Sequence, residues 1–149
     1  MKIILDTNIL VGIFLRGNSR SYSYRLLAKC LSGELRPQIS NALFCEYTDV
    51  LFRESVMASS VYNVKERQLI LDELFYRSDW SNVYYLWRPN LPDEGEDYSE
   101  TGHLIELAIA SQTPYIITMN QRDFVGDLDT GINIVKPKEF MTEVLKWQH

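Results

Sequence analysis

The sequence predicts a single α/β domain over residues 1–149, a parallel sheet with helices on both faces. Three observations carry that expectation. Short apolar or β-branched runs alternate with segments of helical period from end to end, and such alternation argues for parallel strands joined by helical crossovers. No internal repeat, low-complexity tract or linker interrupts the pattern. A chain of 149 residues is also about one domain long, enough to bury about 70% of its unfolded surface without disulfides or a structural metal.

Lys2 to Leu5 is a short apolar run closed by Asp6-Thr7-Asn8, which reads as a buried strand ending in a turn. Tyr22 to Leu31 has apolar residues at helical spacing and stops at Ser32-Gly33. Gln38-Ile39 forms a brief strand after Pro37, and Ser40 caps a helix from Asn41 to about Phe52 with Leu43, Tyr47, Val50 and Leu51 inward. Asn63-Val64-Lys65-Glu66 has the form of a capping box, opening a helix that carries Leu69, Ile70, Leu74 and Phe75. Asn82 to Trp87 is β-branched and aromatic, a strand ended by Arg88-Pro89. A polar stretch from Asn90 to Gly102 precedes a helix from His103 to Ala110. Pro114 to Met119 and Ile132 to Val135 are the last strands, and Pro137 is the first-turn proline of a helix from Lys138 to Trp147.

Composition narrows the function. With 46% hydrophobic and 23% charged residues the chain has the make-up of a soluble globular protein. Cys30 and Cys45 lack any metal-type spacing and lie among apolar neighbours, so both read as core thiols in a reducing cytoplasm. Met1-Lys2 leads into only three apolar residues before Asp6, too short for a secretory segment, and no run nears the roughly 20 apolar residues of a membrane span. A net charge of −5 and a pI near 5.0 argue against broad, charge-driven binding of nucleic acid. Any grip on nucleic acid is then local or made through metal ions.

Parallel sheets place their chemistry outside the carboxyl ends of the strands, at a topological switch point. Asp6 follows the first strand, and Asp123 follows the strand ending at Met119 through Asn120-Gln121-Arg122. Glu46 sits on the second helix at the boundary of its apolar face. Asp93, Glu94, Glu96, Asp97 and Glu100 crowd the stretch before His103. Each acid alone also reads as a turn residue or a solvated side chain. Together they point to a hard cation, since clustered carboxylates raise one another's pKa unless one sits among them. Mg²⁺ binds through one or two carboxylates with waters and phosphate oxygens. No histidine pair or cysteine set favours zinc.

Taken in order, these residues resemble a known family. Ile3-Ile4-Leu5-Asp6-Thr7-Asn8-Ile9-Leu10-Val11 is similar to the first strand and signature of PIN-domain nucleases. Ser40 with Cys45-Glu46-Tyr47-Thr48-Asp49-Val50-Leu51 resembles the family's second acidic helix. Leu91-Pro92-Asp93-Glu94-Gly95 with Gly102-His103-Leu104-Ile105-Glu106-Leu107-Ala108 resembles its third segment, and Tyr115 to Phe124 its fourth. The resemblance leans to the VapC-like toxins of toxin–antitoxin systems. It implies a three-layer α/β/α fold with a central five-stranded parallel sheet, cleavage of single-stranded or structured RNA, Mg²⁺ or Mn²⁺, a homodimer and a cognate antitoxin.

Carried over by residue, Asp6 and Glu46 fill the first two acidic positions, and Asp123 the fourth with Asn120 beside it. The third departs: Thr101 stands where the family has an aspartate, and Glu96 to Glu100 reads as an insertion. Asp6 is then expected to bind metal, with Glu100 and, second, Asp97 as substitute ligands. Glu46 and Asp123 would orient water or a second ion, and Thr7, Asn8 and Asn120 would meet the substrate. Arg16, Arg20 and Arg25 are the expected contacts to RNA phosphates. Tyr84, Tyr85 and Trp87 are the expected interface aromatics, facing a basic antitoxin segment. Two alternatives stand beside this reading. One is a PIN fold with a degenerate site that binds RNA or antitoxin without cutting. The other is a phosphatase or receiver domain using Lys136, against which the Asp6-Thr7-Asn8 signature argues.

Overall fold

The computed structural model describes residues 1–83, 96–124 and 131–146, with the backbone alone for 96–100. Its strands are β1 (Lys2–Leu5), β2 (Arg36–Ile39), β3 (Asp79–Trp80), β4 (Tyr115–Ile117) and β5 (Asn133–Val135). They form one five-stranded sheet in the order β3-β2-β1-β4-β5, with every pairing parallel. The predicted α/β architecture with a central five-stranded parallel sheet is therefore the observed one. Strands covered on both faces read as continuous apolar runs rather than alternating ones. Ile3, Ile4 and Leu5 of β1 and Ile116 and Ile117 of β4 are buried accordingly. The chain builds outward from β1 to β3 on one side, then crosses to β4 on the other. The switch point thus lies between β1 and β4.

The helices are α1 (Thr7–Arg16), α2 (Tyr22–Leu31), α3 (Asn41–Leu51), α4 (Glu54–Met57), α5 (Val64–Arg77), α6 (Glu96–Ser111) and α7 (Pro137–Glu139). Ser21 caps α2, Ser40 caps α3 through a 3.2 Å bond from Leu43 N–H, and Asn63 and Glu66 form the capping box of α5. Pro137 occupies the first turn of α7, as expected of a residue with no N–H to satisfy there.

Several expectations need correction. Asp6-Thr7-Asn8 is no turn: Asp6 caps α1, which starts at once and ends at Gly17. Gly17 has φ +59°, and a Cβ there would lie 2.6 Å from the Val61 side chain. The segment Ile9 to Leu15 is apolar nearly all round, so it lacks the polar face that reveals a helix in a sequence. On α5 the inward residues are Leu71, Leu74 and Arg67, whereas Leu69 is exposed. The third strand is Asp79–Trp80 rather than Asn82–Trp87; Asn82 and Val83 make no strand, and residues 84–87 lie outside the described residues. α6 begins at Glu96, not His103, so the acidic insertion is helical at least from there. The last helix is three residues followed by a π-helical turn, Phe140–Val144, and Trp147 lies outside the described residues. Cys30 is buried as expected, but Cys45 is exposed, because α3 turns that side outward.

Candidate active site

Asp6 follows β1 and Thr118 follows β4, so the two stand side by side across the switch point. Asp6 N–H donates to the Ile117 carbonyl at 2.9 Å, and the Thr118 hydroxyl donates to Asp6 Oδ2 at 2.8 Å. Asp6 Oδ1 accepts from Thr7 N–H at 2.8 Å, which is the cap of α1. Asn8 Nδ2 reaches Asp6 Oδ2 at 3.3 Å and Thr118 Oγ1 at 3.2 Å, while its Oδ1 accepts from Met119 N–H at 3.1 Å. Thr118 Oγ1 also accepts from Asn120 N–H at 3.1 Å. Asp6, Asn8 and Thr118 thereby staple the two strand exits together. Asn8 spends both ends of its amide on the staple.

Glu46 reaches the same edge from α3. Its neighbour Tyr47 is buried, and the Tyr47 hydroxyl donates to the carbonyl of Leu5. That bond joins the residue before Asp6 to the residue after Glu46, and so fixes the spacing of the two acids. Glu46 Oε2 in turn lies 3.2 Å from His103 Nε2 on α6. The approach has ion-pair distance but poor hydrogen-bond alignment. Glu46 Oε2, Thr7 Oγ1 and His103 Nδ1 are all buried without a hydrogen-bond partner. Buried polar atoms left unpaired are uncommon and mark places where something else is bound or stored.

The electrostatics follow from this packing. Burial pushes the Asp6 carboxyl above its ordinary value and the charge of Glu46 adds to that, outweighing the Thr118 and Thr7 hydrogen bonds and the attraction of His103. Burial pushes Glu46 up as well, but the neighbouring His103 holds it below its ordinary value. Two coupled acids whose environments push them in opposite directions are a pattern found at functional sites.

Other expected residues stand apart. Asp123 lies on a 3₁₀ turn, Gln121–Asp123, at the carboxyl edge just after β4, but it is exposed and makes no hydrogen bond or ion pair with Asp6 or Glu46. Asn120 is exposed and contributes its backbone N–H. Thr101 is buried within α6. The side chains of Asp97 and Glu100 lie outside the described residues, as do Tyr84, Tyr85 and Trp87. Arg16 ends α1, about 15 Å along the axis from Asp6 at 1.5 Å per residue. Arg20 is exposed in the connection to α2, and Arg25 is half-buried on α2. The exposed cations next to the strand exits are Arg122 and Lys136.

Thr118 and His103 are the members that sequence reasoning did not select, and only His103 had a signal. Its signal was one imidazole opening the apolar run Leu104-Ile105 on a helix that packs near α3. Among the described residues no three His, Cys, Asp or Glu side chains gather into a metal-binding group.

Residues 2–122 match the family described as PIN domain. No curated protein matches the chain. Among solved structures, the fold is similar to a chain of VapBC2 from Rickettsia felis, determined bound to a DNA fragment from their promoter. That likeness has a TM-score of 0.50 at 16% identity and covers 91% of this chain and 98% of the other.

Proposed function

The chain belongs to the PIN-domain family, and from that premise we propose that it is an Mg²⁺- or Mn²⁺-dependent endoribonuclease serving as the toxin of a toxin–antitoxin pair. PIN domains are generally nucleases and generally use divalent metals. The observation that carries the reading is the coupling of Asp6 and Glu46 at the β1/β4 switch point, where a parallel sheet puts its chemistry.

The residues suit the ion. A small hard cation is held through one or two carboxylates, with water and substrate phosphate oxygens completing its shell. Asp6 supplies one, and the unpaired buried Glu46 Oε2 and Thr7 Oγ1 are spare oxygen ligands beside it. Glu100 and Asp97 remain the proposed substitutes for the acid absent at Thr101; residue 97 stands one helical turn before residue 101 on α6. When bound, such an ion generates a nucleophilic hydroxide and stabilises charge on the phosphoryl group. The chain's own residues do the rest. Thr118 and Asn8 hold the Asp6 carboxylate in one orientation, and Tyr47 holds Glu46 at a fixed offset from it. Glu46, held beside Asp6 through the Tyr47–Leu5 bond, orients the attacking water. Asp123 at the rim is proposed to act on a second ion or on water at the substrate's far side. Arg122 and Lys136 are placed to meet phosphates, a local grip that fits the net charge of −5.

A partner is part of the proposal. An apolar cleft of about 110 Å³ runs between α1, α2 and α5, lined by Ile13, Tyr24, Leu27, Leu31, Tyr62 and Ile70. Leu69 and Tyr76 stand exposed on α5. Antitoxin binding and a homodimer would cover such surface, and an acidic chain suits a basic antitoxin segment. The test is cleavage of single-stranded RNA by purified protein. Cleavage with Mn²⁺ or Mg²⁺ that EDTA abolishes is expected. A folded protein that binds the RNA and never cuts it would favour the degenerate-site alternative, which the loss of an acid at Thr101 motivates.

A further inference from the structure

Both acids of the site already face polar groups of the protein itself. Asp6 receives Thr7 N–H, the Thr118 hydroxyl and Asn8 Nδ2. Glu46 Oε2 accepts no hydrogen bond but has His103 Nε2 3.2 Å away, within ion-pair distance. A neutral imidazole protonated on Nε2 and an imidazolium both present a proton there, and Nδ1 is buried with no partner. His103 is thus held by packing on α6 and by one polar contact, and that contact points at a carboxylate oxygen the ion would use. The contact is poorly aligned, as befits one that can be broken.

We propose that His103 is a built-in competitor of the divalent ion: its Nε2 stands 3.2 Å from the Glu46 oxygen that the ion would take, so it sets how tightly the site holds Mg²⁺ or Mn²⁺. This rests on the metal-dependent reading above. The physical reason is ligand charge. Affinity for a hard cation grows with the number of carboxylates free to face it, and Glu46 counts fully only when the imidazole lets go.

The consequence inverts the usual expectation for a residue in a metal site. Removing His103 should tighten binding, whereas removal of a ligand or a mere structural prop would weaken it or leave it alone. The experiment measures Mn²⁺ affinity calorimetrically, at one fixed pH, for the wild type and for His103→Leu, His103→Asn, His103→Gln, Glu46→Gln and the Glu46→Gln/His103→Asn double variant. Thermal melts confirm folding. Leucine removes the donor at similar bulk, and asparagine reaches only as far as the Nδ1 position, so either suffices if the other fails to fold. Glutamine can place an amide near Nε2. About tenfold tighter binding is expected for His103→Leu and His103→Asn, with His103→Gln near the wild type. The asparagine gain should vanish when it is made on Glu46→Gln, because no carboxylate is then released. Unchanged or weaker binding in the leucine and asparagine variants overturns the inference while leaving the metal-dependent reading standing. Absence of Mn²⁺ binding from all of the proteins overturns both.

Discussion

Replacing Tyr47 by phenylalanine removes one oxygen and leaves the ring volume, so no cavity term enters. What is lost is the bond from the Tyr47 hydroxyl to the Leu5 carbonyl. Burial, then the charges of Asp6, Cys30 and Glu46, push the Tyr47 hydroxyl well above its ordinary value, so it stays a donor at any working pH. A buried hydrogen bond of this kind is worth about 1 kcal/mol net, rising to about 2 kcal/mol where the acceptor is left unpaired. At about 2–4 °C per kcal/mol for a domain of this size, the melting temperature should fall by roughly 2–8 °C. Domains carry about 5–15 kcal/mol of stability, so the variant stays folded. Its second effect is on geometry, because Leu5 precedes Asp6 and Tyr47 follows Glu46. A displacement near 1 Å in such a constellation costs up to about 100-fold in rate. The assay is a thermal melt paired with steady-state cleavage of a short RNA. Tyr47→Phe should lower kcat at least about tenfold while changing KM less than about twofold. A lower melting temperature with unchanged kcat would refute the positioning argument, and an unchanged melting temperature would refute the bond.

Two further outcomes follow from the site's charges and from the cysteines. Glu46 is held below its ordinary value, so its ion pair contributes stability above about pH 4.5 that is lost as pH falls through its folded value. The gap in melting temperature between wild type and Glu46→Gln should accordingly close as pH falls below about 4.5; a gap that persists undiminished in stronger acid would contradict the ionised Glu46 pair. Cys45 is exposed, whereas burial pushes the Cys30 thiol up to about 12. A thiol reagent at about pH 8 should modify Cys45 in the native protein and reach Cys30 only after unfolding, and early labelling of Cys30 would argue against the core placed around it.

β1, β4 and β5 were legible because they are apolar runs bounded by polar residues, whereas β3, only Asp79 and Trp80, has no such run to show, and side-chain caps announced several helices. Ser40 and the Asn63–Glu66 box were readable for that reason. α1 was not, since a helix buried nearly all round shows no amphipathic period, and an aspartate that starts turns also caps helices. The start of α6 was hidden by its charge: Glu96 to Glu100 reads as solvated loop by composition, yet acids are favoured in the first turn of a helix. At the site, Asp6 was legible from its place after the first strand. Thr118 and His103 were not, because their roles depend on which strand lies beside β1 and which helix faces α3. Neither neighbour is adjacent in sequence. A hydroxyl and an imidazole carry no pattern of their own, whereas a carboxylate after a buried strand does.

The most direct test of the account is the Asp6→Asn variant. Asparagine caps a helix about as well as aspartate, so α1 should persist, while the charge that faces Glu46 is gone. Removing a buried carboxylate also relieves its desolvation, so the variant should melt no more than a few degrees from the wild type near neutral pH. Cleavage of single-stranded RNA in Mn²⁺ should fall by at least about 100-fold, with the fold intact by circular dichroism. Cleavage at the wild-type rate by a folded Asp6→Asn protein would contradict the account, leaving Asp6 as a helix cap and nothing more.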